Sequence, residues 1–473
     1  MTTDEVTAPA AGAPSDSAPS RIDRAQHLSS SKAQRRRQLR RRRAVAVVLL
    51  VAVVGLPFVV WRAIPRGAGP PKPVTPPVLG TSVPRPLFLP SLVSLVAKPT
   101  IFPGTPPALP FPPAGQSAVF VQGVGLLGAT ADQQSVPIAS VTKIMTAIIV
   151  LRDHPLGHGS GPSFTMTAAN HAAYIHDATN DDSNLLVVAG ERLTERQLLE
   201  ALMIPSADNI ADYLARWDAG SIPAFVKKMN AMAKALGLSD THYADASGLN
   251  PESRSTAVDQ AILGSFAMRV PGLISVEDHP SMTFPVEGTV GNFNPVVGVD
   301  GVIGVKSGFT SASQGCLVTA AWRKVGGHSV LIISSTLGQP LNLPQVGQID
   351  LQLLDAAASD LEARPILRAG QPVAAVVAGW TPQRPHIVVK GDPATVVGWG
   401  GLPVRTVVTP SIPYTRGAPN GWQAGDTMAT VQVSTPGGVQ TMAFATLDRF
   451  LPPAPAGWVP PSSTGSTVAS AGN

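Results

Sequence analysis

Pro137-Ile138-Ala139-Ser140-Val141-Thr142-Lys143-Ile144-Met145-Thr146-Ala147 sets a serine three residues ahead of a lysine, where an apolar helical run begins. On a helix, positions i and i+3 share a face, so the Ser140 hydroxyl and the Lys143 amine can meet. A serine becomes a nucleophile only with a base beside it, and a desolvated amine is such a base. The helix N-terminus also points backbone N–H groups and positive dipole at the serine, which suits a developing oxyanion. Taken alone, the spacing also fits a capped helix bearing a surface lysine. The flanking chain has to decide between the two.

Upstream, Arg35-Arg36-Arg37-Gln38-Leu39-Arg40-Arg41-Arg42-Arg43 holds much of the basic excess of a chain with net charge +5. Such a run is often a nucleic-acid patch. Here it abuts Ala44 to Trp61, eighteen uncharged and almost wholly apolar residues, so no nucleic-acid partner is expected. That length is near the lower limit for a membrane span. The expectation is a disordered cytoplasmic tail over 1–43, a transmembrane helix over 44–61 and an extracytoplasmic remainder, by the positive-inside rule. A cleaved signal peptide is the alternative, but the n-region is long and no clear small-x-small site follows. Proline recurs every few residues over 62–113, which predicts a polyproline spacer. Outside the cell a stalk fits better than an SH3-type ligand.

The expected catalytic domain spans 114–362. Ser117 to Val121 has strand character. Thr194 and Gln197 have capping-box spacing ahead of Leu198, Leu199, Leu202 and Met203. That helix ends at Ile204-Pro205-Ser206-Ala207-Asp208-Asn209, and another begins with Ile210, Leu214 and Trp217 on one face. Pro223 to Leu236 reads as a further amphipathic helix ended by Gly237. Gly301 to Gly308 is an apolar strand ending in Lys306-Ser307-Gly308. Cys316–Trp322 and Ser329–Ser334 form a hairpin about Gly326-Gly327, and a closing helix runs from Pro344 to Leu361. Strands at both ends with helices between them make an α+β domain.

Three motifs now stand in order: Ser140-x-x-Lys143, Ser206-Ala207-Asp208-Asn209 and Lys306-Ser307-Gly308. With the flanking segments Gly190–Ala211, Asp245–Pro251 and Gly301–Val318, they resemble the penicillin-binding serine acyl transferases. The nearest group is the low-molecular-weight D-alanyl-D-alanine carboxypeptidases of peptidase family S11. The resemblance covers roughly 117–340. It implies a β-lactamase/transpeptidase-like fold, an antiparallel sheet with a helical cluster, and a small all-β domain after it. It implies catalytic roles for Ser140 as nucleophile, Lys143 as base and Ser206 as proton relay. Lys306, Ser307 and Thr310 would bind the substrate carboxylate, and the backbone N–H groups of Ser140 and Phe309 would form the oxyanion hole. Peptidoglycan stem peptides and β-lactams are the implied partners, without cofactor or metal.

Two positions depart from the family. Ser307 replaces threonine and keeps the hydroxyl. Asp208 stands where the family has asparagine, with Asn209 next to it. A carboxylate aimed into the cleft would stabilise protonated Lys143 and weaken it as a base. A one-residue slip of the turn would instead let Asn209 fill the role. A serine β-lactamase or esterase of the same fold is the second reading; no Glu-x-x-Leu-Asn lies between the second and third motifs, which argues against a class A β-lactamase. A catalytically silent wall-binding protein is the third reading.

Elsewhere the pattern carries little chemistry. The histidines lack metal spacing, apart from a loose His154/His158 pair. Asp177, Asp181 and Asp182 read as a solvated loop. The single cysteine, Cys316, excludes an intrachain disulfide and reads as a small buried hydrophobe. Residues 363–451 alternate short strands with Gly and Pro turns, which predicts a small β-sandwich. Residues 452–473 read as a disordered tail.

Overall fold

The structure is a computed structural model and describes residues 90–96, 99–392, 394–412, 420–455 and 458 of the 473-residue chain. The tail, the expected transmembrane segment over 44–61 and most of the 452–473 tail lie outside the described residues. Among the described residues, no helix is long and apolar enough to cross a membrane.

A five-stranded antiparallel sheet forms the centre of the catalytic half. Its strands are β1 (Gln116–Val121), β2 (Gly125–Ala129), β3 (Val302–Thr310), β4 (Gln314–Val325) and β5 (His328–Gln339), in the order β3-β4-β5-β1-β2. β4 and β5 make the expected hairpin, closed by Gly326 and Gly327 at φ 52° and 84°. Two consecutive left-handed residues match the twist of the hairpin, and glycine adopts them without steric cost. Both sheet faces are apolar, so alternate residues enter different cores. Ala118, Val318, Ala320, Leu331 and Ile333 face the helical cluster, whereas Val119, Val121, Leu317, Ala321 and Ile332 face the opposite side.

The helical cluster comprises α1 (Lys143–Asp153), α2 (Ala168–Thr179), α3 (Glu195–Met203), α4 (Asp208–Ala219), α5 (Ile222–Ala235), α6 (Ala257–Ala267) and the single turn α7 (Ile274–Glu277). α1 is buried from Lys143 to Leu151, nearly all round, as befits a central helix. α3 starts with the expected capping box between Thr194 and Gln197. α4 ends at Gly220 in the left-handed conformation. Trp399 and Trp422 are both core residues.

The final helix, α8 (Leu343–Asp360), covers the second sheet face. Its Asp350 is wholly buried and accepts hydrogen bonds from Thr319 (2.7 Å), Ser334 (2.9 Å) and Thr336 (2.6 Å). These three hydroxyls pin the helix to the sheet. Burial outweighs them and pushes the Asp350 carboxyl up to about 6.

The C-terminal half is a seven-stranded antiparallel sheet accompanied by a two-stranded pair, Glu362–Leu367 with Ala394–Gly398. The 62–113 spacer requires correction here. Ser91–Ser94 pairs with Pro372–Val377 as one outer strand, and Thr100–Ile101 pairs with Pro403–Pro410 as the other. Phe102 is buried against Gly398 and Leu402. The prolines flanking these strands hide them from pattern reading, yet proline is tolerated at sheet edges. The tail is likewise engaged at its start: the Trp380 indole donates to the Pro452 carbonyl at 2.9 Å.

Asp350 makes stability depend on pH. Its folded-state pKa lies above the ordinary carboxyl value of 3.8, so its contribution is fully present below that value and is lost as pH rises through about 6. Asp350→Asn is expected to remove up to about 3 kcal/mol of this pH dependence. Urea unfolding of both proteins at acid and mildly alkaline pH measures it.

Candidate active site

Ser140 lies in a 3₁₀ turn, Ala139–Thr142, that runs directly into α1. Ala139 has φ 47°, a left-handed value that a non-glycine residue rarely adopts. The carbonyl of Ala139 packs so tightly on Gly248 that a Cβ there would overlap it. The strained turn is thus clamped from outside and presents a half-buried Ser140.

Lys143 is fully buried. Its Nζ donates to Ser140 Oγ at 2.8 Å, to Asp208 Oδ1 at 2.5 Å and to the Ser247 carbonyl at 2.9 Å. The i, i+3 spacing therefore does bring serine and amine together. The third acceptor escaped sequence reading. It comes from a loop organised by Asp245, whose carboxylate accepts from Ser247 Oγ (2.9 Å) and Gly248 N (2.9 Å). Asp245-Ala246-Ser247-Gly248 carries turn chemistry, but nothing local says that its carbonyl aims at Lys143.

The turn between α3 and α4 supplies the second motif. Ser206 sits at φ 64°, and its buried hydroxyl has no hydrogen-bond partner among the described residues. Asp208 is 4% exposed and points at Lys143. Asn209 turns away: its side chain bonds the backbone N and O of Leu185 (3.1 and 2.9 Å). The slipped-turn alternative is therefore overturned: the Asn209 side chain ties an extended segment to α4. Burial pushes the Asp208 carboxyl up to about 6 even though Lys143 opposes the shift. Asp177 and Asp182, read as solvated, add to it.

The third motif lines β3. Lys306 and Ser307 are almost fully buried. Lys306 Nζ donates to the Ser307 carbonyl at 3.0 Å, and Ser307 Oγ is unpartnered among the described residues. Burial first, then the charge on Lys143, pulls the Lys306 amine well below its ordinary value. The Thr310 hydroxyl and N–H engage Ser313 (2.9 and 3.0 Å) and shape the β3–β4 turn. Phe309 exposes its ring. Glu277, which the sequence did not single out, is buried on α7 against Gly304 with both carboxylate oxygens unpartnered among the described residues. Desolvation pushes its carboxyl well above the usual range, and Lys306 partly opposes this. His154 bonds Asp218 at 3.0 Å and stacks on Trp217. Among the described residues, no group of three or more His, Cys, Asp or Glu is placed to hold a metal.

Three segments far apart in the chain thus gather a hydroxyl against a dry amine, a free hydroxyl and a second buried amine. The chain is similar to known proteins over the segments that carry these groups. The profile described as D-alanyl-D-alanine carboxypeptidase matches residues 116–339. A D-alanyl-D-alanine carboxypeptidase of Streptomyces sp. (strain K15) is 30% identical over 216 residues, covering 42% of this chain and 72% of that protein. The chain belongs to the D-alanyl-D-alanine carboxypeptidase family, a family of hydrolases. Another member, DacF of Bacillus subtilis (strain 168), is 28% identical over 270 residues, 55% of this chain and 66% of DacF, just under two thirds of its length. A D-alanyl-D-alanine endopeptidase of Escherichia coli (strain K12) is 30% identical over 194 residues, 38% of this chain and 58% of that protein. The fold is that of penicillin binding protein 5 from Haemophilus influenzae, with TM-score 0.52 and 20% identity over 72% of this chain and 98% of that one.

Within this family member, Gly308 on β3 faces the Ser140 turn closely. A Cβ there would stand 2.8 Å from Ser140 N and 3.1 Å from Val141 N. Gly308→Ala is expected to displace Ser140 and lower its reactivity toward an acylating reagent on the order of a hundredfold. Reaction kinetics, with circular dichroism showing an intact fold, measure this.

Proposed function

We propose that the protein is a serine-type D-Ala-D-Ala carboxypeptidase that removes the terminal D-Ala from peptidoglycan stem peptides. The observation that carries the reading is the 2.8 Å contact between Ser140 Oγ and the buried Lys143 amine. Ser140 attacks the carbonyl of the penultimate D-Ala. Its proton passes to Lys143, and the tetrahedral oxyanion is held by the backbone N–H groups of Ser140 and Phe309. Removing one such donor typically costs about 2.7–4 kcal/mol. The free Ser206 hydroxyl relays a proton to the leaving amine, and water then releases the shortened peptide from Ser140.

Lys306 and the free Ser307 hydroxyl bind the substrate's terminal carboxylate. A buried Lys306 with a depressed pKa regains a counter-charge when that anion arrives. The clamp therefore weakens as pH rises through the lowered titration of Lys306 in the free enzyme. β-Lactams, which mimic the acyl-D-Ala-D-Ala end, acylate Ser140, and the adduct is long-lived because no glutamate motif activates a deacylating water. The basic run before the apolar 44–61 segment supports an anchored protein with its catalytic domain outside the cytoplasm.

Covalent labelling of the full chain with a fluorescent penicillin, paired with D-Ala release from a pentapeptide, tests the reading. Labelling is expected to vanish in Ser140→Ala, and the wild type is expected to release D-Ala. Absence of wild-type labelling, or its persistence without Ser140, would sink acyl transfer at this site. Rapid penicillin turnover would mark a β-lactamase instead.

A further inference from the structure

Lys143 faces a difficulty if it is to act as a base. Each of its three amine hydrogens has an acceptor: Ser140 Oγ, Asp208 Oδ1 and the Ser247 carbonyl. An ammonium donating three hydrogen bonds has no lone pair with which to take a proton from Ser140. It must first shed one. Of the three acceptors, the carbonyl is not a base at ordinary pH, and Ser140 is itself the group to be deprotonated.

We propose that Asp208 takes the proton that Lys143 sheds, so that the pair works as a two-residue base; this rests on the acyl-transfer reading above. The exchange runs over the 2.5 Å contact between Lys143 Nζ and Asp208 Oδ1. One N–H bond of Lys143 breaks and one O–H bond of Asp208 forms, turning the ion pair into a neutral amine and a carboxylic acid. Net charge is unchanged and no solvent proton is needed. Ser140 then gives its proton to the free amine as its oxygen bonds the substrate carbonyl. Lys143 passes that proton, through Ser206, to the departing D-Ala nitrogen. Asp208 finally returns the first proton to Lys143, and the ion pair is restored.

The surroundings favour the exchange. Both partners are dry, and two separated charges lose most of their hydration there, so the neutral pair is not heavily penalised. Asp177 on α2 and Asp182 after it face Asp208 with like charge, and burial raises its carboxyl to about 6. The start of α4 acts the other way, since a helix N-terminus favours the carboxylate. This keeps the acid transient, as a proton store has to be. The asparagine usual in the family cannot accept a proton, so the device belongs to this chain's own substitution.

The test is the pH dependence of second-order acylation of the full chain by a reporter β-lactam. In the wild type, acylation is expected to hold level above about pH 6, where Asp208 is an open acceptor, and to fall below it as solvent protonates the carboxylate. Asp208→Asn is expected to lose on the order of tenfold or more at neutral pH. Its rate should then climb with pH toward the wild-type rate near about pH 10, as hydroxide takes over the proton's removal. Asp208→Glu, which keeps a carboxylate, is expected to retain the wild-type profile shape. A uniform loss in Asp208→Asn at every pH would assign Asp208 a structural role and overturn the proposal. So would an unchanged or uniformly faster variant, or an Asp208→Glu profile shaped like that of Asp208→Asn. Should the wild type itself fail to label at Ser140, acyl transfer falls first, and the two failures stay distinct.

Discussion

The arrangement depends on keeping a lysine amine inside the protein. Lys143 is fully buried, and an amine in that position is tolerated only with partners on every hydrogen. Those partners come from three places: the turn before α1, the first residue of α4 and the loop at Ser247. The amine therefore ties together three segments that are far apart in the chain. The apolar length of α1 holds the lysine there. With residues from Ile144 to Leu151 buried, that helix cannot rotate its first turn toward solvent.

The sheet sets the other wall. β3 passes so near the serine turn that only glycine fits at position 308. The adjacent Lys306 and Ser307 come along because β3 is registered against β4, with Lys306 opposite Val318 and Ser307 opposite Leu317. A shift of one residue would send the apolar residues of β3 and the clamp to opposite faces. Several buried polar atoms in this region lack partners among the described residues: Ser206 Oγ, Ser307 Oγ and both oxygens of Glu277. Buried polar groups are almost always satisfied in folded proteins, and their exceptions gather where function needs open donors. The two hydroxyls fit that rule, for they stand where substrate atoms arrive in the proposed reaction.

Much of this was legible before any coordinates. The i, i+3 pair, the motif order, the capping box at Thr194 and the double-glycine hairpin are local signals with local causes. The misreadings share a different origin. Asn209 was an alternative occupant of the cleft because two adjacent side chains of similar size cannot be ranked without a backbone direction. The tie between the Thr310 and Ser313 hydroxyls exists only once the turn has formed. Ser91–Ser94 looked like part of a proline-rich spacer, since an edge strand needs one partner, and that partner lies 286 residues away. Glu277 gave no sign at all, because burial of a carboxylate is a property of its neighbours.

By itself, then, the sequence determined which chemistry-bearing groups exist, on which elements they lie and in what order, because helix spacing, caps and glycine turns act over a few residues. Only the tertiary structure decided which of Asp208 and Asn209 meets Lys143, where the third acceptor of that amine comes from, and that a carboxylate shares its burial. Those outcomes depend on contacts between segments some sixty-five to a hundred and four residues apart. Distance, burial and dielectric are settled there by packing rather than by local pattern.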